Sequence, residues 1–409
     1  MKVSRLLVLA PVAGLLGLLG FRQAPVACDP DNAGLKLPDG FCATLFAEVG
    51  GARHVAVSPD GVVYVASSSR SGGGVTALRD ADGDGHADAR EQFGPGAGTG
   101  VAVSDNAVYF GLNDRIVRYA RRAGELAPSG DGVEIVTGLP TGGHSATTLA
   151  LGPGGAMYVD HGSRSNACME ETRTARSPGV RPCPELPTRA GVWRYDAMQP
   201  GQTPSDGTRW ATGLRNAMAL AVNPSTGLLW GATHGRDQLA ALWGFSNEDS
   251  AEKPSEEFGP IPQGADYGWP YCYHDPIAKK KVLAPEYGGD GVRQDECASK
   301  TQPAIGFPGH WAPMALAFYP HDTFGPAYRG GAFLAFHGSW NRAPLPQAGF
   351  RVVFIPFANG QPTGEWSTFA IDAESATGLR AAGVAVAPDG AVYITSDQAG
   401  KVWRVTRAR

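Results

Sequence analysis

Long apolar runs are scarce in this 409-residue chain. After Leu6–Gly20, no stretch approaches the length of a bilayer-crossing helix, and Leu6–Gly20 itself is short for one. No stable membrane span is expected. Basic charge is not in excess either: the formal net charge is −4, which argues against a nucleic-acid partner. Several catalytic signatures are missing. There is no C-x-x-C-H, so no c-type haem is attached to this chain, and there is no H-E-x-x-H, P-loop or nucleophile elbow. Gly72-Gly73-Gly74 has no helix pattern after it, so a dinucleotide fingerprint fails. No helical run dominates, and no low-complexity linker marks off a second domain.

What the chain does have is turn residues, with 56 glycines and 32 prolines. Residues 1–27 read as a secretory signal. Lys2 and Arg5 precede the apolar run, and Ala24 and Ala27 offer small residues for cleavage. A periplasmic or secreted protein is expected. The six cysteines, Cys28, Cys42, Cys168, Cys183, Cys272 and Cys297, fall in neighbouring pairs, and export favours disulfides. Sequential pairing would close three short loops, but six cysteines leave the other connectivities open. A lipid on Cys28 is the competing reading, which Pro25 disfavours.

Six degenerate strand–turn–strand copies organise the rest. They run over His54–Arg70, Gly100–Arg115, Gly142–Asp160, Arg215–Arg236, His310–Arg342 and Arg380–Gln398. Such repeats indicate propeller blades of about four strands each. The expectation is an all-β chain with one six-bladed β-propeller over residues 28–409. The lead-in ending in CATLFAEV would close the ring against the last blade. Gly73–Asp80, Gly191–Ala197, Phe350–Phe357 and Lys401–Thr406 read as outer strands, and roughly 243–307 reads as a long irregular insertion.

Equivalent positions of different blades converge on one axis. Before the inner strands lie Arg53, His54, His144, Arg215, Asn216, His310 and Arg380. After the second strands lie Arg70, Arg164, Arg236 and Arg342. A ring of cations at one face would hold a multiply charged anion, because guanidinium forks pair with carboxylates. The plainer alternative is that each arginine pairs with an acid. His144 follows two glycines and is the candidate general base. His161, His234 and His337 read as loop-orienting residues. Asp80, Asp82, Asp84, Asp88 and Glu91, with Gly85 among them, have the spacing of a calcium loop; the alternative is an acidic hairpin.

GLRNAMAL (Gly213–Leu220), THGRD (Thr233–Asp237), GADYGWPYCY (Gly264–Tyr273), HGSWNR (His337–Arg342) and DQAGKVWRV (Asp397–Val405) carry a further signal. Through them the chain resembles the soluble quinoprotein sugar dehydrogenases, with their glucose, sorbosone and pyranose branches. LPDGFCATLFA at the start is most similar to the sorbosone-like branch. The resemblance implies a six-bladed propeller that binds pyrroloquinoline quinone and calcium and oxidises an aldose or aldehyde. An external electron acceptor, a cytochrome or a quinone, is then expected. His144 matches the family's base. Arg215 and Asn216 match cofactor ligands, with Arg215 polarising the quinone, and Arg342 and Arg380 match contacts to its carboxylates. Arg70 and His310 match pocket positions, and Gly235 and Arg236 match backbone carbonyls to the active-site calcium. Ser163 stands where the glucose branch has a carboxylate that orients the base, with Asp160 a nearby substitute. Ala217-Met218 replaces a proline–glycine, and Thr233 an acid. A calcium-dependent lactonase and a non-catalytic binding propeller are the competing classes.

Overall fold

The computed structural model describes residues 28–68 and 72–408. The expected signal at 1–27 and the candidate Arg70 lie outside the described residues.

The repeats become six four-stranded antiparallel blades in a ring. The first is Ala52–Val57, Val63–Ser67, Val75–Arg79 and Ala89–Phe93. The second is Gly98–Val103, Ala107–Leu112, Arg115–Ala120 and Val133–Thr137, and the third Leu149–Leu151, Ala156–His161, Gly191–Asp196 and Thr208–Thr212. The fourth is Ala219–Val222, Leu229–Thr233, Glu256–Pro260 and Ile305–Phe307. The fifth is Pro313–Phe318, Ala332–Phe336, Arg351–Ile355 and Ser367–Asp372, with Leu35–Lys36 added at its edge. The sixth is Ala381–Val386, Val392–Ser396, Lys401–Arg407 and, as its outermost strand, the early segment Phe41–Glu48. This last pairing joins the two ends of the chain and removes the open edge that a linear array of sheets would leave.

The first strand of every blade lines the axis, and each packs on the first strand of its two neighbours. The second strands are sandwiched between blades, so both their faces are covered. Val63–Ser67, Leu229–Thr233, Ala332–Phe336 and Val392–Ser396 are buried at every residue. That is why these stretches carry no charged residue and do not alternate between apolar and charged positions. Between the fourth and fifth blades the layer is aromatic: Trp230, Phe258, Phe307, Phe318 and Phe336 pack together. Fully burying one such side chain contributes ~1.5–3 kcal/mol.

Two expectations are corrected. The segments read as outer strands are third strands, because a fourth strand follows each or, in the last blade, arrives from residues 41–48. The stretch 243–307 is not one insertion. Glu256–Pro260 and Ile305–Phe307 are the third and fourth strands of the fourth blade. Repeat spacing could not find them, since the loops around them are long. Between them lies the hairpin Cys272–Asp275/Lys280–Leu283, and ahead of them sit the short helices Leu239–Trp243 and Asn247–Glu252. Ser246 caps the latter by accepting from the Asp249 amide at 2.9 Å.

The cysteines pair sequentially as Cys28–Cys42, Cys168–Cys183 and Cys272–Cys297. The Cys28 sulfur is therefore committed, which removes the lipid-bearing reading. No helix among the described residues is long and apolar enough to cross a membrane. Replacing both Cys272 and Cys297 by alanine frees a loop with a sequence separation of 25. The variant is expected to lose about 3 kcal/mol of stability, read from the shift in denaturant midpoint.

Candidate active site

His144 sits where the Gly142-Gly143 turn meets the end of the third blade's second strand. The contact is close enough to require glycine on the facing turn. A Cβ on Gly162 would lie 2.3 Å from the His144 carbonyl oxygen and 2.8 Å from Asn216 Oδ1. The His144 amide donates to the Ser163 carbonyl at 2.9 Å. Its ring Nδ1 lies 2.8 Å from that same carbonyl and 3.0 Å from Ser163 Oγ. Ser163 Oγ spends its own proton on the Ser165 carbonyl at 2.7 Å. Both neighbours of Nδ1 are therefore acceptors, so Nδ1 carries the hydrogen and Nε2 carries the lone pair. Burial, then the nearby Arg215 charge, lowers the imidazole pKa to about 3, so it stays neutral.

Asp160 does not take over the orienting role. Its carboxyl is buried, and burial, opposed by the Ala217 amide, raises its pKa to about 7. The carbonyl and hydroxyl of Ser163 hold the His144 ring instead.

Arg215 and Asn216 follow in the next blade. Buried Arg215 donates to Asp237 Oδ2 at 2.9 Å, the Gly235 carbonyl at 2.8 Å, and the Asn166 carbonyl and Oδ1 at 3.1 Å each. The Asn216 amide donates to Thr233 Oγ1 at 3.1 Å, so the threonine fixes the turn. Asn216 Nδ2 faces His234 Nδ1 at 3.4 Å, and His234 Nε2 reaches the Pro313 carbonyl at 2.8 Å. Asp237 is the hub. Besides Arg215 it accepts from Arg173 at 2.7 Å and Asn341 at 2.8 Å, and His310 Nδ1 lies 3.8 Å away. Burial opposes its charge, but Arg215, His310 and Arg173 hold the carboxyl well below the usual range. Glu256 underlies this loop. It accepts from the Gly235 amide at 3.0 Å and the Ala312 amide at 3.1 Å, and burial pushes its pKa up to about 8.

Beside this cluster opens a cavity of about 440 Å³, lined by Arg53, His234, His337, Trp340, Phe350 and Arg380 among others. Arg380 has no acidic partner among the described residues; its guanidinium lies over the Phe350 ring at 5.1 Å. Arg53 and His337 both reach Asp397, each at 2.9 Å.

The expected ring of free cations is corrected. Arg53, Arg215, Arg236 and Arg342 each meet an acid: Asp397, Asp237, Glu286 and Glu252 respectively. Arg342 also donates to the Ala251 carbonyl at 2.6 Å and the Gly309 carbonyl at 3.1 Å, so it ties the loop after the fifth blade's second strand to the end of the helix Asn247–Glu252. His310 Nε2 is bound to the Ser250 carbonyl at 2.7 Å. The Arg236 and Glu286 side chains are both buried and anchor the region after the Cys272 hairpin. Of the acidic loop, Asp80, Asp82 and Asp88 come together. Asp84 instead accepts from the His86 amide at 2.8 Å, and Glu91 lies exposed on an edge strand. The twelve-residue calcium pattern is thus realised only in part, because a strand begins at Ala89. His161 is structural, stacked on Trp193 at 4.3 Å and 3.1 Å from the Tyr195 hydroxyl. Sequence reading missed Asp237, Asn341, Asn166 and Arg173. The first two lie inside quoted motifs, but nothing in their spacing pointed to a shared hub.

Three histidines far from any base role, His54, His161 and His274, are held neutral by burial with pKa values lowered to about 4. The unfolded chain binds protons there near the ordinary imidazole value of 6.5, so it takes up more protons than the fold below that pH. Their contribution to stability is present above pH 6.5 and lost as pH falls towards 4. Asp160 and Glu256, raised by burial to about 7 and about 8, oppose them with one proton each, while His144 and His234, lowered to about 3 and about 4, add two more on the side of the histidines. The expected outcome is a falling melting temperature from pH 6.5 to 4, read by calorimetry.

The TrAA12-like family model matches residues 35–408. A "Pyrroloquinoline quinone-dependent pyranose dehydrogenase" of Coprinopsis cinerea is 29% identical over 172 residues, covering 34% of this chain and 22% of that protein. A "Pyrroloquinoline quinone-dependent sugar dehydrogenase" of Hypocrea jecorina is 23% identical over 253 residues, covering 56% of this chain and 52% of that protein. The chain therefore spans about half the length of the latter and less of the former. Among solved structures, the calcium form of a Trichoderma reesei family AA12 protein superposes with a TM-score of 0.76 at 19% identity, covering 92% of this chain and 97% of the other. The holo quinone domain of the Coprinopsis cinerea pyranose dehydrogenase gives 0.75 at 18%, covering 91% and 97%.

Proposed function

The chain belongs to the TrAA12-like family, and starting from that membership we propose that it is a pyrroloquinoline quinone-dependent dehydrogenase of a pyranose-type aldose or a related sugar aldehyde. The observation that carries this reading is His144, with Nδ1 fixed on Ser163 and Nε2 left with its lone pair. The surroundings suit an anionic quinone with a divalent cation. Arg380 is an uncompensated guanidinium at the cavity wall. Two buried amide oxygens, Asn216 Oδ1 and Asn341 Oδ1, have no donor among the described residues, which leaves them free to coordinate a hard cation or to accept from a ligand.

Arg380 would pair with a cofactor carboxylate, Asn216 and Arg215 would face its quinone edge, and the Gly235 and Arg236 carbonyls would serve calcium. Bound there, the quinone would accept the hydride and calcium would polarise the carbonyl that receives it. The protein's own part is proton transfer and positioning. His144 Nε2 takes the proton of the sugar hydroxyl, and the Ser163 acceptors hold the ring in the tautomer that can do so. Asp237 keeps Arg215 in place, so the guanidinium needs no reorganisation during reaction. Electrons then pass to an external acceptor. The three disulfides support export to an oxidising compartment.

The lactonase reading would need open carboxylates at the axis. Asp237, Glu256 and Asp397 are engaged by donors, and Asp160 is closed off by burial. The test is reconstitution: the purified protein is titrated with pyrroloquinoline quinone and calcium by absorbance, then assayed with aldoses and a dye acceptor. Calcium-dependent binding with dye bleaching is expected. A protein that binds no quinone overturns the reading.

A further inference from the structure

Trp340 stands out because nothing covers it. Its relative exposure is 65%, the highest of any aromatic residue noted as exposed among the described residues. Its backbone is nonetheless pinned on both sides. Ser339 Oγ accepts from the Asn341 amide at 3.2 Å, Asn341 Nδ2 holds Asp237 at 2.8 Å, and Arg342 is bound by the Ala251 and Gly309 carbonyls. An exposed indole on a pinned backbone is an apolar platform, and only its own side-chain torsions are left to order when something stacks on it.

The indole borders two cavities. On one side is the charged cavity described above. On the other is a second cavity of about 370 Å³, lined by Gln238, Phe245, Asn247, Ser250, Asn341 and three alanines besides Trp340. No charged side chain lines it. Amide and hydroxyl groups around aromatic faces suit a neutral polyhydroxy ring: hydroxyls meet the amides, and the apolar C–H face meets the indole. The volume is of the order that small-molecule sites occupy, about 300–1,000 Å³.

We propose that this second cavity is a subsite for a further pyranose ring, so that the protein prefers a di- or oligosaccharide whose end ring enters the charged cavity across Trp340. This deepens the dehydrogenase reading and rests on it for the identity of the first ring.

The test is an NMR saturation-transfer titration of glucose, maltose, cellobiose and their trisaccharides, with and without bound quinone and calcium. At least one disaccharide is expected to bind about tenfold tighter than glucose, the worth of one good aromatic contact. Trp340→Phe should keep most of that advantage and Trp340→Ala should lose it. Ala241→Trp, which fills only the second cavity, should bring the disaccharide to the level of glucose. Equal affinities for glucose and every longer sugar overturn the subsite, as does an advantage that survives Ala241→Trp. The two readings fail separately. Quinone-dependent oxidation of glucose with no length preference sinks the subsite alone, and a length preference in a protein that binds no quinone sinks the dehydrogenase reading alone.

Discussion

His144→Ala is expected to lower kcat by about 10²–10⁴-fold, the usual worth of a positioned general base, while quinone binding survives. Among the described residues the ring hydrogen-bonds only to Ser163, so truncation leaves the cavity wall at Arg53, His234 and Arg380 in place. The pH profile gives a second readout. Burial and Arg215 lower the imidazole pKa to about 3, so the base is in its reactive form from pH 5 to 8. No limb attributable to His144 should appear in that window. Ser163→Ala removes one of the two acceptors at Nδ1 but keeps the carbonyl, so a loss well below that of His144→Ala is expected. Near-normal turnover in His144→Ala, measured with the dye acceptor, would remove it as the base.

Asp237→Asn should cost about 3–5 kcal/mol of stability, the penalty for leaving a buried charge without its partner. Arg215 is 3% exposed and spends one of its guanidinium nitrogens on Asp237. The amide keeps a single acceptor oxygen, so it can serve Asn341 on one side or the two arginines on the other but not both, and it no longer neutralises Arg215. Replacing both partners with apolar residues of similar size, Arg215→Met with Asp237→Leu, should recover a large part of the loss, since two buried charges leave together. The readout is the denaturant midpoint of the two single variants and the double. A single-variant cost under about 1 kcal/mol would mean that Asp237 is not the hub the geometry makes it.

Sequence alone carried the fold further than the site. Apolar second strands such as Ala332–Phe336 are a direct consequence of blades covering both faces, so periodicity exposes them. The lead-in strand was legible for a similar reason: a six-bladed ring needs something to close it, and Phe41–Glu48 was the unassigned strand. The fourth strands were not legible. Ala89–Phe93 and Thr208–Thr212 are largely exposed on one face or both, so they carry little apolar signal.

In the site, His144 and the Arg215–Asn216 pair were visible because phased repeats bring equivalent positions to one axis. Which charges stay unpaired was invisible. Arg53, Arg236 and Arg342 looked equivalent to Arg380 in sequence, yet their acids, Asp397, Glu286 and Glu252, come from distant segments. The same holds for His144. The group nearest its Nδ1 is the carbonyl oxygen of Ser163, and every residue has one of those.

What the amino-acid order determined by itself was therefore the ring: its six blades, its closure and the residue types gathered at its axis, all of which follow from local patterns repeated along the chain. What only the tertiary structure decided was the charge state and orientation of those residues. Pairing depends on contacts between segments up to 344 residues apart, as for Arg53 and Asp397, and burial depends on which loops cover the axis. Neither is written in any local pattern, because both are set by distances in space.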